Sequence, residues 1–117
     1  MDKKTQAELL VLKVLNSNGK ISRAELFKEI RRIQEERKLN LWKFKDVGGI
    51  IVTKGNGVPR LEDVVFGLFF VDYIRFCESK LMGMAFEDYY EITQAGREYL
   101  LAGGDLKLLS LQLRSRR

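Results

Sequence analysis

Apolar residues recur along this chain in two rhythms, and the switches between them mark out the elements. Leu9, Leu10, Val11, Leu12, Val14 and Leu15 are nearly continuous, which predicts a helix that is greasy most of the way round. Thr5-Gln-Ala-Glu8 reads as the capping box that opens it, and Asn18-Gly19 as the left-handed cap that closes it after about Ser17. Lys20-Ile21 leaves room for a very short strand. Ser22-Arg-Ala-Glu25 is a second capping box, and Leu26, Phe27, Ile30 and Ile33 give its helix one inward face as far as about Arg37. Lys28, Arg31 and Arg32 fall outside that stripe.

The helical period is lost between 38 and 57. Leu41-Trp42-Lys43-Phe44-Lys45 alternates in the manner of a strand, Gly48-Gly49 suits a turn, and Ile50 to Thr53 is β-branched throughout. A hairpin or an extended ordered loop is expected there. Pro59 suits the start of a third helix, running to about Phe70 with Leu61, Val65 and Leu68 inward. Tyr73 to Glu78 and Tyr89 to Ile92 read as strands flanking a loop, Ser79 to Glu87, with Gly83 at its tip. Thr93 then caps a closing helix that ends near Gly103-Gly104. The leucines between 105 and 113 fit a helix at one spacing and a strand at another.

This order, together with two motifs, resembles the winged helix-turn-helix superfamily of small bacterial and archaeal regulators. Leu68 followed by Asp72-Tyr73-Ile74 stands where that family ends its third helix and begins its wing, with aspartate in a place commonly held by glycine. Tyr90-Glu-Ile-Thr-Gln-Ala-Gly96 is similar to the family's wing-closing Tyr-x-Leu-Thr-x-x-Gly. The resemblance spans about residues 5–102. It implies an α+β, mostly helical fold, a winged-helix domain over 1–104 with an insertion at 38–57, and a C-terminal extension over 105–117. It also implies double-stranded DNA as partner, although a fold does not by itself settle a function.

The third helix departs from such a role. Its outward positions are expected to be Arg60, Glu62, Asp63, Phe66 and Gly67. The first turn of a recognition helix approaches phosphates and base edges, where carboxylates repel DNA unless each accepts from a cytosine amino group. The basic residues lie elsewhere. Positions 1–58 carry 13 basic and 7 acidic side chains, 59–104 carry 4 and 8, and 105–117 carry 4 and 1. The candidate DNA contacts are therefore Lys28, Arg31 and Arg32 on the second helix, Lys43, Lys45 and Lys54 in the insertion, Lys80 on the wing, Arg114, Arg116 and Arg117 in the tail, and Arg60 for limited base reading. Trp42 and Phe44 alternate with Lys43 and Lys45, a pattern that can stack on bases and clamp phosphates or simply pin the insertion to the core.

Composition narrows the chemistry further. The chain has no histidine and one cysteine, Cys77, so the commonest general base is missing and neither an internal disulfide nor a cysteine-rich zinc site can form. Adjacent acid pairs such as Glu35-Glu36 and Glu87-Asp88 project in different directions, and no glycine-rich phosphate loop accompanies them. No enzyme, cofactor or metal is expected. Apolar runs fall short of the roughly 20 residues of a membrane span, and a cytoplasmic protein is expected. The apolar surplus in residues 5–17 and 105–113 suggests a homodimer. The expected function is a dimeric, DNA-binding transcriptional regulator. The competing expectation is a winged-helix protein-interaction module using the acidic third helix and an apolar wing formed by Met82, Met84 and Phe86.

Overall fold

The computed structural model describes residues 2–82 and 85–104. The elements run α1 (Lys3–Asn18), β1 (Ile21–Ser22), α2 (Arg23–Glu36), β2 (Trp42–Val47), β3 (Ile50–Gly55), α3 (Leu61–Phe70), β4 (Ile74–Met82), β5 (Ala85–Ile92) and α4 (Gln94–Gly104). The protein is α+β. One antiparallel sheet has the strand order β1-β5-β4, and β2 and β3 form a separate two-stranded sheet. No helix among the described residues is long and apolar enough to cross a membrane.

α1 is the central helix, packed against α2, α3, α4 and β5. That position explains its composition. Ala7, Leu9, Leu10, Val11, Leu12, Val14 and Leu15 are all buried within the single chain. Their apolarity therefore needs no second chain, and the case for a dimer through residues 5–17 loses the exposed surface it relied on. The other half of that proposed interface, 105–113, lies outside the described residues, as does the choice there between helix and strand. The capping box at Thr5 is also corrected. Asp2 is the N-cap, its Oδ1 accepting from the Thr5 N–H at 2.7 Å, so Thr5 lies inside the first turn.

α2 begins as its sequence implies. The Ser22 hydroxyl accepts from the Glu25 N–H, and Glu87 reaches across from β5 to accept from the Ala24 N–H at 3.0 Å. A carboxylate against those orphan donors also complements the helix dipole. Both α2 and α3 end in Schellman motifs: Leu39 N–H returns to the Gln34 carbonyl and Tyr73 N–H to the Leu68 carbonyl, each at 2.9 Å. The motif requires a positive φ at the residue between, which here is Lys38 (55°) and Asp72 (63°) rather than glycine. The aspartate that departs from the family pattern thus occupies a left-handed position that favours glycine.

The long hairpin is more extended than expected. β4 continues to Met82 and β5 starts at Ala85, so the loop read at Ser79 to Glu87 is mostly strand, while its tip, with Gly83 and Met84, falls outside the described residues. Within the stretch that does read as strand, the register shifts between Phe76 and Glu78 and leaves Cys77 as the extra residue of a bulge. Cys77 is half-buried, with its thiol donating to the Tyr89 carbonyl.

At the other end of β5, Thr93 caps α4 by accepting from the Gly96 N–H, while its hydroxyl donates to the Asp72 carbonyl at 2.6 Å. A Cβ at Gly96 would lie 2.0 Å from the Tyr73 carbonyl oxygen, so this turn of α4 can rest on the backbone before β4 only with glycine there. The Thr-x-x-Gly motif is thus a packing device that joins α4 to the end of α3.

Candidate functional site

The segment 38–57 is a β-hairpin, built from residues that obey the two-residue period of a strand. Register pairs Lys43 with Lys54, Lys45 with Val52 and Val47 with Ile50 on one face, and Trp42 with Gly55, Phe44 with Thr53 and Asp46 with Ile51 on the other. Gly48 and Gly49, both at positive φ (60° and 86°), supply the two-residue turn that such a hairpin needs.

The inner face is bolted to the helices. Trp42 is 2% exposed and its indole N–H donates to the Pro59 carbonyl at 2.8 Å. Gln34, buried near the end of α2, accepts from the Leu41 and Trp42 N–H groups and donates to the Trp42 carbonyl at 2.6 Å. Thr53 bridges to α3: its Oγ1 accepts from the Leu61 N–H at 2.8 Å and donates to Glu62, whose other oxygen accepts from the Thr53 N–H. The helix start at Pro59 is corrected accordingly. α3 begins at Leu61 after the N-cap residue Arg60, whose side chain makes no capping bond; the Leu61 N–H is met instead by Thr53, eight residues earlier on a neighbouring strand. Arg23 contributes from α2 by donating to the Ile51 carbonyl, and Arg31 lies over the Phe44 ring at 6.0 Å.

These bonds decide which predicted residues come together. Lys43, Lys45 and Lys54 share the outer face, all exposed and with no ion pair among the described residues. Two lysines directly opposite each other weaken a hairpin, so this pairing is tolerated rather than stabilising. The aromatic partners expected to interleave with them are elsewhere. Trp42 is in the core and Phe44 is half-buried beneath Arg31, so neither presents a face for base stacking beside the lysines.

The remaining cations are scattered or engaged. Lys28 lines a cleft on the hairpin's other side together with Arg23 and Asp46. Arg31 pairs with Glu35 at 3.4 Å, and Arg32 is held between Glu29 and Glu36, whose carboxylates push its pKa upward. Arg60 makes a bidentate contact with Asp63, and that hydrogen bonding holds the Asp63 carboxyl below its usual range. For each of these arginines a phosphate would compete with a carboxylate already in place. Such surface pairs are individually weak, so they reduce an attraction without abolishing it. Lys80 lies on β4 in register with Glu87. Arg114, Arg116 and Arg117 lie outside the described residues.

On α3 the expected outward set is mostly correct: Arg60, Asp63, Phe66 and Gly67 are exposed, whereas Glu62 turns to the hairpin and serves Thr53. The surface here is more apolar than acidic. Phe66 is 70% and Phe70 81% exposed, with Phe69 and Val71 also open to solvent. Phe70 was hidden from a reading of the sequence because its position resembles the core end of a helix; its four-residue spacing from outward-facing Phe66 was the available signal. Among the described residues no group of three or more metal-binding side chains is gathered in one place. Comparison with protein-family models, with curated proteins and with solved structures finds no match to this chain.

Proposed function

We propose that this chain is a DNA-binding protein of the winged helix-turn-helix kind, acting as a transcriptional regulator, and that its phosphate contacts are concentrated on the outer face of the β2–β3 hairpin. The observation that carries this reading is the gathering of Lys43, Lys45 and Lys54 on one exposed face, unpaired among the described residues and held rigid by Trp42, Gln34 and Thr53 behind it. Element order and the strand order β1-β5-β4 support the winged-helix part of the reading. Lysines on a rigid hairpin act as point charges that track the phosphate backbone and carry no base preference. α3, with Asp63 and three exposed phenylalanines, is poorly suited to a major groove.

The test is fluorescence anisotropy with a mixed-sequence duplex at 50 and 200 mM salt. Three phosphate contacts contribute a salt slope of about −2.7, or a loss of about 40-fold in affinity over that interval. The triple variant Lys43→Ala, Lys45→Ala, Lys54→Ala should flatten the slope by about 2.7 and weaken binding more at 50 mM than at 200 mM. An unchanged slope would remove the hairpin from the interface, and absence of wild-type binding at 50 mM would end the DNA reading. The second reading, a protein-interaction module, is favoured by the exposure of Phe66, Phe69 and Phe70 on α3 and of Val71 just after it.

A further inference from the structure

The exposed face of α3 combines two features that its own chain does not explain. Phe66 and Phe70, four residues apart, stand on one helical face in water. Between them lies Gly67. A Cβ built there meets nothing within 4 Å, and the position does not have positive φ. Neither crowding nor backbone conformation within the chain calls for glycine, the poorest helix former after proline. A glycine on an exposed helix face beside large apolar side chains suits the close approach of a second backbone.

We propose that this face binds a second copy of the chain, two α3 helices crossing about a two-fold axis near Gly67. The face is self-complementary in shape. It carries both the knobs, Phe66 and Phe70, and the hole, Gly67, so each copy's phenylalanine fills the other's gap, as an isologous interface requires. It is also self-complementary in charge. The groove beside Phe66 and Phe70 is lined by charges of both signs, Lys4 and Glu8 from α1 and Asp63 from α3. Rotation about the axis can therefore set a cation against a carboxylate, where a rim of a single sign would repel its copy. A duplex is a poor occupant because Asp63 projects from the same face. The interface accounts for the acidic, aromatic character of a helix that a DNA-binding reading leaves unused, and it stands whether or not the hairpin binds DNA.

The test is sedimentation velocity of the full chain from about 1 to 200 µM, on the wild type and on the variants Gly67→Leu and Phe66→Lys/Phe70→Lys. Every altered side chain is exposed, and Gly67→Leu adds a better helix former in open space, so its thermal midpoint at 1 µM should not fall. The wild type should pass from monomer to dimer across the range, with both variants at least tenfold weaker in association. A wild type that stays monomeric at 200 µM overturns the proposal and leaves the face to a different protein. A dimer that both variants leave intact overturns it equally, by placing the interface elsewhere.

Discussion

Replacing Thr53 by valine keeps the side chain's shape and removes only the hydroxyl, which makes it the sharpest probe of how the hairpin and α3 are joined. Thr53 is 7% exposed, and its Oγ1 serves both the buried Leu61 N–H and the Glu62 carboxylate. Loss of an N-cap contact costs about 0.5–2 kcal/mol. Loss of a hydrogen bond to a charged group costs about 1.5–3 kcal/mol. Because the two share one oxygen they are not additive, and a total of about 2–3 kcal/mol is expected. For a domain of this size that corresponds to a fall of roughly 10 °C in thermal midpoint. Urea denaturation followed by circular dichroism measures the loss. A cycle with Glu62→Ala and the double variant should return a coupling of about 1 kcal/mol or more. Thr53→Ser, which keeps the hydroxyl, should recover most of the stability. A Thr53→Val protein within about 0.5 kcal/mol of wild type, the usual range for an inconsequential surface change, together with zero coupling, would refute the inferred cap. If the weld also orients Lys43, Lys45 and Lys54, the same variant should weaken duplex binding without altering their charge.

Two further results are expected from other parts of the chain. Lys38→Gly and Asp72→Gly should each stabilise the protein by about 0.5–1 kcal/mol, because both residues hold the left-handed position of a Schellman motif; equilibrium unfolding that shows either variant destabilised would contradict the backbone reading. Tyr99 stacks on Tyr73, and its hydroxyl donates to Glu8 at 3.1 Å; burial first, and then the Glu8 carboxylate, push its pKa up from 10.0 to about 12. The folded state thus keeps a proton that the unfolded state releases, so this contribution is complete below pH 10 and disappears between pH 10 and 12. Thermal midpoints across that window should fall less steeply for Tyr99→Phe than for wild type, and equal slopes would show that Tyr99 is not the group responsible.

The elements were legible because each has a local cause. The Ser22 cap, the positive-φ glycines at the hairpin turn and the two-residue period of Trp42 to Lys45 act over a few residues, and a reading of neighbours finds them. The same holds for the Thr93 cap and the short strand at Ile21. Even the outer face of the hairpin was implicit, since alternation separates Lys43 and Lys45 from Trp42 and Phe44.

What the tertiary structure decided is the use to which each face is put. A helix with apolar residues all round has surplus surface as a sequence and none once it is surrounded; α1 is a core helix because four other elements cover it. Thr53 and Leu61 meet across eight residues, Gln34 and Trp42 across another eight, and Glu87 and Ala24 across sixty-three. None of these contacts has a periodicity that could announce it. Arg31, Arg32 and Arg60 meet carboxylates only three or four residues away, a spacing the sequence already carries, whereas it is the fold that leaves Lys43, Lys45 and Lys54 without an ion pair among the described residues. Periodicity can tell which residues turn outward together, but whether an outward face meets solvent, a carboxylate or another chain depends on what the rest of the fold brings to it.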